Sequence, residues 1–415
     1  MHGDREANSL KIGINGRFLV AKKTGVQRTA YNLVKTLVSV DRENEYYLFT
    51  GKKELGKPEW DYPNVTVVAS FVEPGKTLRN MFWEQLVLPY LAKKYKVDLL
   101  HSPANMSPLF FKGKSLVHIH DVCFVVNPQW YSFAFRTWYN WVIPRLAKRA
   151  ARVITNSNNS KNDLLQFCKL PVEKVSMVYW AVDDSFLGNN TRSVGEEWTL
   201  KDYILYVGSL EPRKNIGSLV EAFQLLRNQH PDLKTKLILI GGESPLFAEL
   251  KLKISDYQDD IILKGFVDDD ELKAYYRHAG LVAYPSLYEG FGLPPLEAMA
   301  SGAPVVTSIT SSLPEVVGNA AIKVNPYDIR QLSESMAKIL LNPDHRKDLI
   351  NRGFEQVKSF NWFRVARNIL AIYYEVYQRA FSKKDGAVGE QVYIPYEFWK
   401  KLVQMEEEKI KSIQF

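Results

Sequence analysis

The chain has 415 residues, 46% hydrophobic and 24% charged, which is typical of a globular protein and excludes a largely disordered one. The balance of 54 Lys and Arg against 46 Asp and Glu gives a net charge of +8, which favours phosphates, anionic lipid or nucleic acid as partners. Its 2 cysteines exclude a disulfide framework, and the polar N-terminus lacks a signal-peptide core, so we expect a cytoplasmic protein that is at most peripheral to a membrane.

The first half of the chain alternates short β-rich runs with helical stretches. Helices are predicted over Gly25 to Val40 and Met81 to Tyr95, and strands are predicted in the runs LKIGIN, EYYLFT, VTVVASF, VDLLHS, LVHIHD and RVITN. Strands that alternate with helices indicate a parallel sheet covered on both faces. The polar segment 184–202 interrupts the alternation, so we place an inter-domain linker there.

The same alternation restarts after the linker. Strands are predicted in the runs YILYVGS, KLILIGG, DIILKGF, GLVAYPS and APVVTS. Helices are predicted between these strands and again from about Asp328 to Ala380. We therefore predict an α/β protein with two tandem, Rossmann-like doubly wound domains that face each other across a cleft. The predicted domains are residues 1–190 and 191–382, followed by a tail, 383–415, that ends in a charged helix docked on the body.

Two glutamates, Glu289 and Glu297, flank a glycine turn between the strand GLVAYPS and the helix LPPLEAMASG. A glycine turn that leads into a helix N-terminus directs backbone amides at an anion such as a diphosphate. Because carboxylates repel phosphate, the acids should accept hydrogen bonds from hydroxyls, Glu289 from a sugar and Glu297 from a ribose. On spacing alone, a solvated turn residue and an acid that favours the helix N-terminus explain the pair equally well.

A basic pair, Arg213 and Lys214, follows the first predicted strand of the second half. Two fixed cations at the carboxyl end of that strand would neutralise a diphosphate and stabilise its charge as it leaves. An isolated pair of this kind is more often solvated surface. Its combination with the acid-flanked turn indicates a site for a nucleotide sugar.

The segment EGFGLPPLEAMASGAPVVTS resembles the signature of the family-four glycosyltransferases, in which seven residues separate two glutamates. GSLEPRKNI is similar to the phosphate-binding turn of that family, and GFVDDDELKAYYRHAGLVAYPS to the segment beside the nucleotide base. The resemblance spans roughly Lys11 to Ala380 and is most specific from Tyr206 to Asp328. It implies the two-domain GT-B fold and retaining transfer from a nucleotide sugar, without a metal or other cofactor.

The resemblance also implies roles for individual residues. Glu289 would bind the donor sugar and Glu297 the ribose. Arg213 and Lys214 would hold the diphosphate, and because Ser209 stands where many members have an arginine, the leaving-group charge would rest on these two cations. The residues that would line the base, the sugar and the phosphates are Gly265, Phe266, Val267, Gly290, Phe291, Gly292 and Leu293.

Two motifs of the first half fit the same family. KKTGVQRTAYNL resembles its glycine loop, where Thr24 replaces one of two common glycines and Gly25 is left as the residue of close backbone approach. HIHDV matches a strand end whose histidine faces the donor sugar, and His120 fits this position better than His118. A core histidine satisfied by backbone groups is the alternative interpretation of each.

Acceptor recognition is expected in the first domain, where the segment 136–152 combines a basic face with tryptophans. Such a helix can rest on an anionic membrane and reach a lipid-linked acceptor, although an ordinary surface helix explains the pattern as well. The predicted apolar face is Ile143, Leu146, Ala147 and Ala150. The predicted basic face is Arg145, Lys148, Arg149 and Arg152, roughly in line with Trp138 and Trp141.

Together with these residues, the resemblance implies a hexosyltransferase that moves glucose or mannose from UDP-glucose or GDP-mannose to a saccharide or glycolipid acceptor, in cell-surface polysaccharide or glycolipid synthesis. The alternatives are an epimerase or phosphorylase of the same fold, or an inactive subunit that binds nucleotide sugars. A nicotinamide dehydrogenase is disfavoured because GINGRF replaces the expected glycine fingerprint. A nucleic-acid-binding module is disfavoured because the basic residues are dispersed.

Overall fold

A computed structural model describes residues 9–21, 25–187, 203–242, 259–381 and 396–413, with the backbone alone for 378–381 and 396–399. The described residues divide between two compact units. The first takes those within Met1–Ala181 and Asn361–Ile410, and the second takes those within Val182–Phe360 and Lys411–Phe415.

The first unit is built on a seven-stranded parallel sheet in the order β3-β2-β1-β4-β5-β6-β7. Its strands are β1 Lys11–Asn15, β2 Glu45–Gly51, β3 Val65–Ser70, β4 Leu99–Ser102, β5 Lys114–His118, β6 Arg152–Thr155 and β7 Val175–Met177. The six predicted strands are confirmed. The seventh, β7, has only three residues at the sheet edge, too few for a periodic pattern to show.

Helices cover this sheet because each buries one apolar stripe. In α1 the buried residues Ala30, Leu33, Val34, Leu37 and Val38 recur at helical spacing. A π-helical turn, Trp83–Val87, joins two of the helices. The helices are α1 Gly25–Val40, α2 Thr77–Phe82, α3 Leu88–Lys94, α4 Cys123–Val126, α5 Phe133–Arg149 and α6 Asn158–Cys168.

The second unit contains a six-stranded parallel sheet in the order β10-β9-β8-β11-β12-β13. Its strands are β8 Tyr203–Val207, β9 Lys236–Ile240, β10 Ile261–Gly265, β11 Leu281–Tyr284, β12 Val305–Ser308 and β13 Ala321–Val324. The first five match the predicted runs, whereas β13 was not predicted. The helix expected between β9 and β10 falls on 243–258, and most of the expected linker on 188–202, both outside the described residues.

Six described helices belong to the second unit. Asp268 caps one of them by accepting hydrogen bonds from the amides of Asp270 and Glu271, as an N-cap acid should. The helices are α7 Ile216–Gln229, α8 Asp269–His278, α9 Leu293–Ala300, α10 Leu313–Val317, α11 Ile329–Leu341 and α12 Pro343–Val357.

The chain then returns to the first unit through α13 Trp362–Phe381 and α14 Tyr396–Ser412. The predicted boundary placed residues 361–382 in the second domain. The structure instead places residues from Asn361 onwards in the first unit, because α13 buries Ala366, Ile369 and Tyr373 in the core that α1 also lines. Leu402 of α14 joins this core, which is the docking expected for the final helix.

In both sheets the strand order reverses beside the first strand, between β1 and β4 and between β8 and β11. Open α/β sheets bind ligands at such switch points, beyond the carboxyl ends of the strands. None of the helices in the described ranges is both long and apolar enough to span a bilayer.

Candidate functional site

The loops after β8 and β11 meet at the switch point of the second sheet. The amide of Leu287 donates to the carbonyl of Arg213 at 2.8 Å, and the Asn215 side chain donates to the carbonyl of Pro285 at 3.2 Å. Asn215 has φ +57°, a left-handed conformation that asparagine tolerates, and it separates the turn Pro212–Lys214 from α7. These bonds fix the two predicted cations beside β11.

Arg213, Lys214 and Glu289 form one ion cluster at this point, although 75 positions separate Lys214 from Glu289 in the chain. Lys214 Nζ donates to Glu289 Oε1 at 2.5 Å, and Arg213 Nη1 donates to Glu289 Oε2 at 3.0 Å. Tyr284 adds its hydroxyl, which accepts from Lys214 Nζ at 2.6 Å and lies 3.0 Å from Glu289 Oε1. The structure thus brings together three of the four residues predicted to be catalytic.

The charge state of the cluster follows from burial and from the two cations. Burial raises the pKa of Glu289, but Lys214 and Arg213 outweigh it and hold that pKa at about 2, so the carboxylate is ionised. Burial and the neighbouring Arg213 lower the pKa of Lys214 more than Glu289 raises it. A second acid, Glu211, accepts from Arg213 Nε at 2.8 Å, but its side chain is 39% exposed and solvent screens its charge. The buried part of the cluster therefore favours an additional anion.

The glycine turn that follows Glu289 is held by two serines. The amide of Glu289 donates to Ser311 Oγ at 3.0 Å, and Ser312 Oγ donates to the carbonyl of Phe291 at 2.6 Å. Gly292 has φ +122° at the entry to α9, a conformation that favours glycine. Gly290 and Leu293 complete the turn, so all four of the residues predicted here lie directly beside the ion cluster in the chain.

Sequence reasoning missed Tyr284, Ser311 and Ser312. Tyr284 is the last residue of an apolar strand, where a tyrosine is expected to be core. The two serines stand in TSSLPE, a typical helix-start pattern that gives no sign of contact with a turn more than twenty positions earlier.

Glu297 lies in α9, is 7% exposed and belongs to a separate contact. Its Oε2 accepts a hydrogen bond from the hydroxyl of Tyr276 in α8 at 3.1 Å. The two signature glutamates therefore have different surroundings, one between cations and one beside a neutral hydroxyl. This division is consistent with different ligand groups for the two acids, and their individual roles remain predictions.

The residues predicted to line the base lie at the end of β10, two strands from β8. Gly265 has φ +67° at an irregularity in the pairing with β9, and its carbonyl accepts from the amide of Gly241 at 2.8 Å. The ring of Phe266 lies over Gly242 and is 73% exposed, and Val267 is half-buried. An exposed aromatic ring at a strand end can stack on a base.

Two further predicted site residues, His120 and Gly25, lie in the first unit. His120 is 3% exposed, and burial lowers its pKa to about 3, so its ring is neutral. Its ring centroid lies 6.0 Å from that of His118 and 4.6 Å from that of Trp180. Gly25 is the exposed first residue of α1, whereas Thr24 lies outside the described residues.

The predicted membrane helix is α5, Phe133–Arg149, and its apolar face is confirmed as buried. Trp138 and Trp141 are each 42% exposed and stack with centroids 5.4 Å apart. Arg145 lies 4.6 Å from the centroid of Trp141, and Lys148 and Arg149 are exposed.

Arg152 does not share the basic face of α5. It lies in β6, where it is 6% exposed and pairs with Glu375 at 2.9 Å and with Ser176 at 3.0 Å. The helix ends at Arg149, three residues before Arg152, so the helical spacing used for the prediction does not extend to it.

Two family profiles match most of the chain. The sequence profile of Glycosyltransferase Family 4 matches residues 23–186, and that of Glycosyl transferases group 1 matches residues 191–356. O-antigen chain mannosyltransferase B of Escherichia coli is 28% identical over 358 residues, which cover 82% of this chain and 93% of that protein. O-antigen chain mannosyltransferase RfbU of Salmonella typhimurium is 29% identical over 68% of this chain and 78% of its own.

Among solved structures, sucrose-phosphate synthase from Thermosynechococcus elongatus superposes with a TM-score of 0.69. The match covers 89% of this chain and 100% of that one at 21% sequence identity. At this identity the likeness shows the fold alone.

Proposed function

Because this chain belongs to the family-four glycosyltransferases and has the GT-B fold, we propose that it transfers mannose from GDP-mannose to a saccharide acceptor. The observation that carries the proposal is the buried ion cluster of Arg213, Lys214 and Glu289 at the switch point of the second sheet. The mannosyltransferase relatives, named for O-antigen chains, favour mannose over glucose and a polysaccharide product.

In the proposed reaction the donor diphosphate binds Arg213 and Lys214, and the hydroxyls of mannose bind Glu289. The ribose hydroxyls bind Glu297, and the base lies against Phe266. His120, neutral at physiological pH because it is buried, contacts the sugar as a hydrogen-bonding group rather than as a charge. The two cations stabilise the negative charge that develops on the leaving diphosphate, which is the role a divalent metal would otherwise serve.

We propose that the transfer retains the configuration at the anomeric carbon. The bond between that carbon and the phosphate oxygen breaks while the acceptor oxygen bonds to the same face. The acceptor proton passes to the departing diphosphate, so GDP is released and the atoms balance without an enzyme nucleophile. The contribution of the protein is position and electrostatics.

Calorimetric titration of the purified chain with GDP, UDP and ADP, each with magnesium and with EDTA, tests this function. We expect binding of GDP in both conditions, with weaker binding of UDP and ADP and about a tenfold loss of GDP affinity in Glu297→Ala. Preference for UDP would replace GDP-mannose by UDP-glucose. Binding only with magnesium would refute the metal-independent mechanism, and binding of none of the three would refute the transferase assignment.

We further propose that α5 contacts an anionic membrane surface and brings the first unit to a lipid-linked saccharide. The exposed tryptophans Trp138 and Trp141 and the exposed basic side chains Arg145, Lys148 and Arg149 support this contact, since such a combination binds the interface of anionic bilayers.

A further inference from the structure

Tyr284 is a fully buried tyrosine that has no part in the reaction described above. It is the last residue of β11, and its ring stacks on that of Tyr206 in β8 with centroids 5.8 Å apart and planes 14° from parallel. A phenylalanine would fill this part of the core equally well. A buried hydroxyl costs free energy unless it is hydrogen-bonded, so its partners indicate why a tyrosine stands here.

The hydroxyl of Tyr284 closes a triangle of hydrogen bonds with Lys214 and Glu289. It accepts from Lys214 Nζ at 2.6 Å and donates to Glu289 Oε1 at 3.0 Å, and Lys214 Nζ donates to the same carboxylate oxygen at 2.5 Å. Burial and the charge of Glu289 raise the pKa of Tyr284 well above its ordinary value, so the hydroxyl keeps its hydrogen. Because Glu289 accepts that hydrogen, the hydroxyl acts on its two neighbours and not as an acid on a substrate.

The triangle fixes the direction of the Lys214 ammonium. An ammonium group has three N–H donors, and within the residues that the structure describes Glu289 and Tyr284 accept two of them. Lys214 is only 6% exposed, so little solvent reaches the group. The third N–H is left for a ligand, and the two fixed bonds orient it. Without the hydroxyl, the ammonium would keep Glu289 alone and could rotate about that bond.

The position of Tyr284 is set by the sheet. Thr307 of β12 pairs with Tyr284, and its Oγ1 donates to the Tyr284 carbonyl at 2.8 Å. The ring of Tyr206, against which Tyr284 packs, is fixed at its far end, because its hydroxyl donates to the carbonyl of Ser209 at 3.0 Å. A side chain that a strand and a packed neighbour hold in this way is a rigid support for a site.

We propose that Tyr284 is a positioning residue of the glycosyl transfer, whose hydroxyl directs the third N–H of Lys214 at the donor diphosphate. The cation then meets the charge that develops on the leaving group without reorienting, which is the condition under which such a group lowers the barrier most. The inference rests on the proposed function and gives a role to a residue outside the predicted site.

Steady-state transfer assays with radiolabelled GDP-mannose test this role in Tyr284→Phe, which keeps the ring and removes the hydroxyl. We expect kcat to fall about tenfold while the KM for GDP-mannose stays within about threefold, because the ammonium remains near the diphosphate but is no longer directed at its developing charge. The matched control is Tyr203→Phe. Tyr203 is another buried strand tyrosine of the second unit, whose hydroxyl donates to the carbonyl of Tyr275 at 2.7 Å, and its variant should retain the wild-type kcat.

A double-mutant cycle distinguishes positioning from a general loss of packing. If Tyr284 acts through Lys214, Tyr284→Phe should change kcat by less than about twofold when Lys214 is already alanine. A merely structural effect would lower kcat by the same factor in both backgrounds.

The pH dependence is a second readout that a structural effect would not move. A hydrogen bond that the charged form of Lys214 donates favours that form, so loss of the hydroxyl should lower the pKa of Lys214 further. The charged groups that face Lys214 are Arg213, Glu289 and Glu211, and all three stay in place in Tyr284→Phe. The alkaline limb of the kcat/KM profile, where Lys214 loses its proton, should therefore move to lower pH in Tyr284→Phe and stay in place in the control.

Three outcomes would overturn the role of Tyr284. These are a wild-type kcat in Tyr284→Phe, an undiminished loss in the Lys214→Ala background, or an alkaline limb that does not move. Thermal unfolding of each variant checks that a lost activity is not lost folding, and GDP calorimetry on the same samples separates this failure from failure of the proposed function. A wild-type chain that binds GDP and transfers mannose, beside an unimpaired Tyr284→Phe, loses only the role of Tyr284, whereas a wild-type chain that binds no nucleotide loses both assignments.

Discussion

Each unit has a buried carboxylate that pairs with cations at the switch point of its sheet, but the two sites differ in the number of cations. In the second unit one buried carboxylate, Glu289, faces the two cations Arg213 and Lys214. In the first unit one buried carboxylate, Glu84, faces the single cation Arg17 and a neutral amide. The second switch point therefore has an excess of buried positive charge, which favours an anion, whereas the charges of Glu84 and Arg17 balance at the first.

The largest effect is expected from removal of a cation in the second unit. Lys214→Ala or Arg213→Ala should remove ~3 kcal/mol or more of transition-state stabilisation, a hundredfold or greater loss of kcat. Steady-state kinetics with GDP-mannose measure the loss. Arg352→Ala, which breaks the exposed pair with Asp348, is the matched control and should leave kcat unchanged. Near-normal turnover in both single variants would show that the two cations do not stabilise the transition state.

Next in size is the effect of Glu289→Gln on stability. The folded-state pKa of about 2 lies below the ordinary 4.5, so ionised Glu289 stabilises the fold at neutral pH by about 3 kcal/mol. That stabilisation is present above pH 4.5 and is lost as the pH falls towards 2. Urea unfolding of wild type and variant should therefore differ most at pH 7 and converge on acidification. A difference that does not change with pH would show that the charge of Glu289 is not the cause.

A smaller effect, on GDP affinity, is expected from Glu297→Ala, because Glu297 lies outside the ion cluster. Loss of the carboxylate that we propose accepts the ribose hydroxyls should weaken GDP binding about tenfold, or about 1.4 kcal/mol. Tyr276→Phe removes only the hydroxyl that donates to Glu297 and should cost a few-fold at most. Calorimetry distinguishes the two, and equal losses in both variants would mean that Glu297 acts by holding α8 rather than by contacting the nucleotide.

The smallest effect concerns the surface of the first unit. Replacing both Trp138 and Trp141 by alanine should reduce binding to anionic vesicles several-fold at low salt, while turnover of a water-soluble acceptor stays unchanged. Co-sedimentation measures the binding, and Tyr327→Ala, which removes an exposed aromatic side chain of the second unit, is the control. Wild-type protein that does not sediment would make α5 an ordinary surface helix.

Much of the secondary structure and several of the candidate site residues could be predicted from local sequence. The alternation of apolar strands with amphipathic helices predicts two parallel sheets, and α1 begins and ends where the sequence predicts. The spacing of Glu289 and Glu297 around a glycine turn, with Arg213 and Lys214 after a strand, was sufficient to select the residues that we propose bind a nucleotide sugar. These features involve neighbours in the chain, whose period and turn chemistry are visible without a fold.

Contacts between distant residues were decided by the tertiary structure. Strand order places Lys214 against Glu289 and Tyr284, and it places Glu84 against Asn15, 69 positions away. The return of α13 to the first unit is of the same kind, because its apolar stripe would suit either core. Periodicity shows that a face is buried but does not show against what, since the partner depends on which strands become neighbours at the switch point.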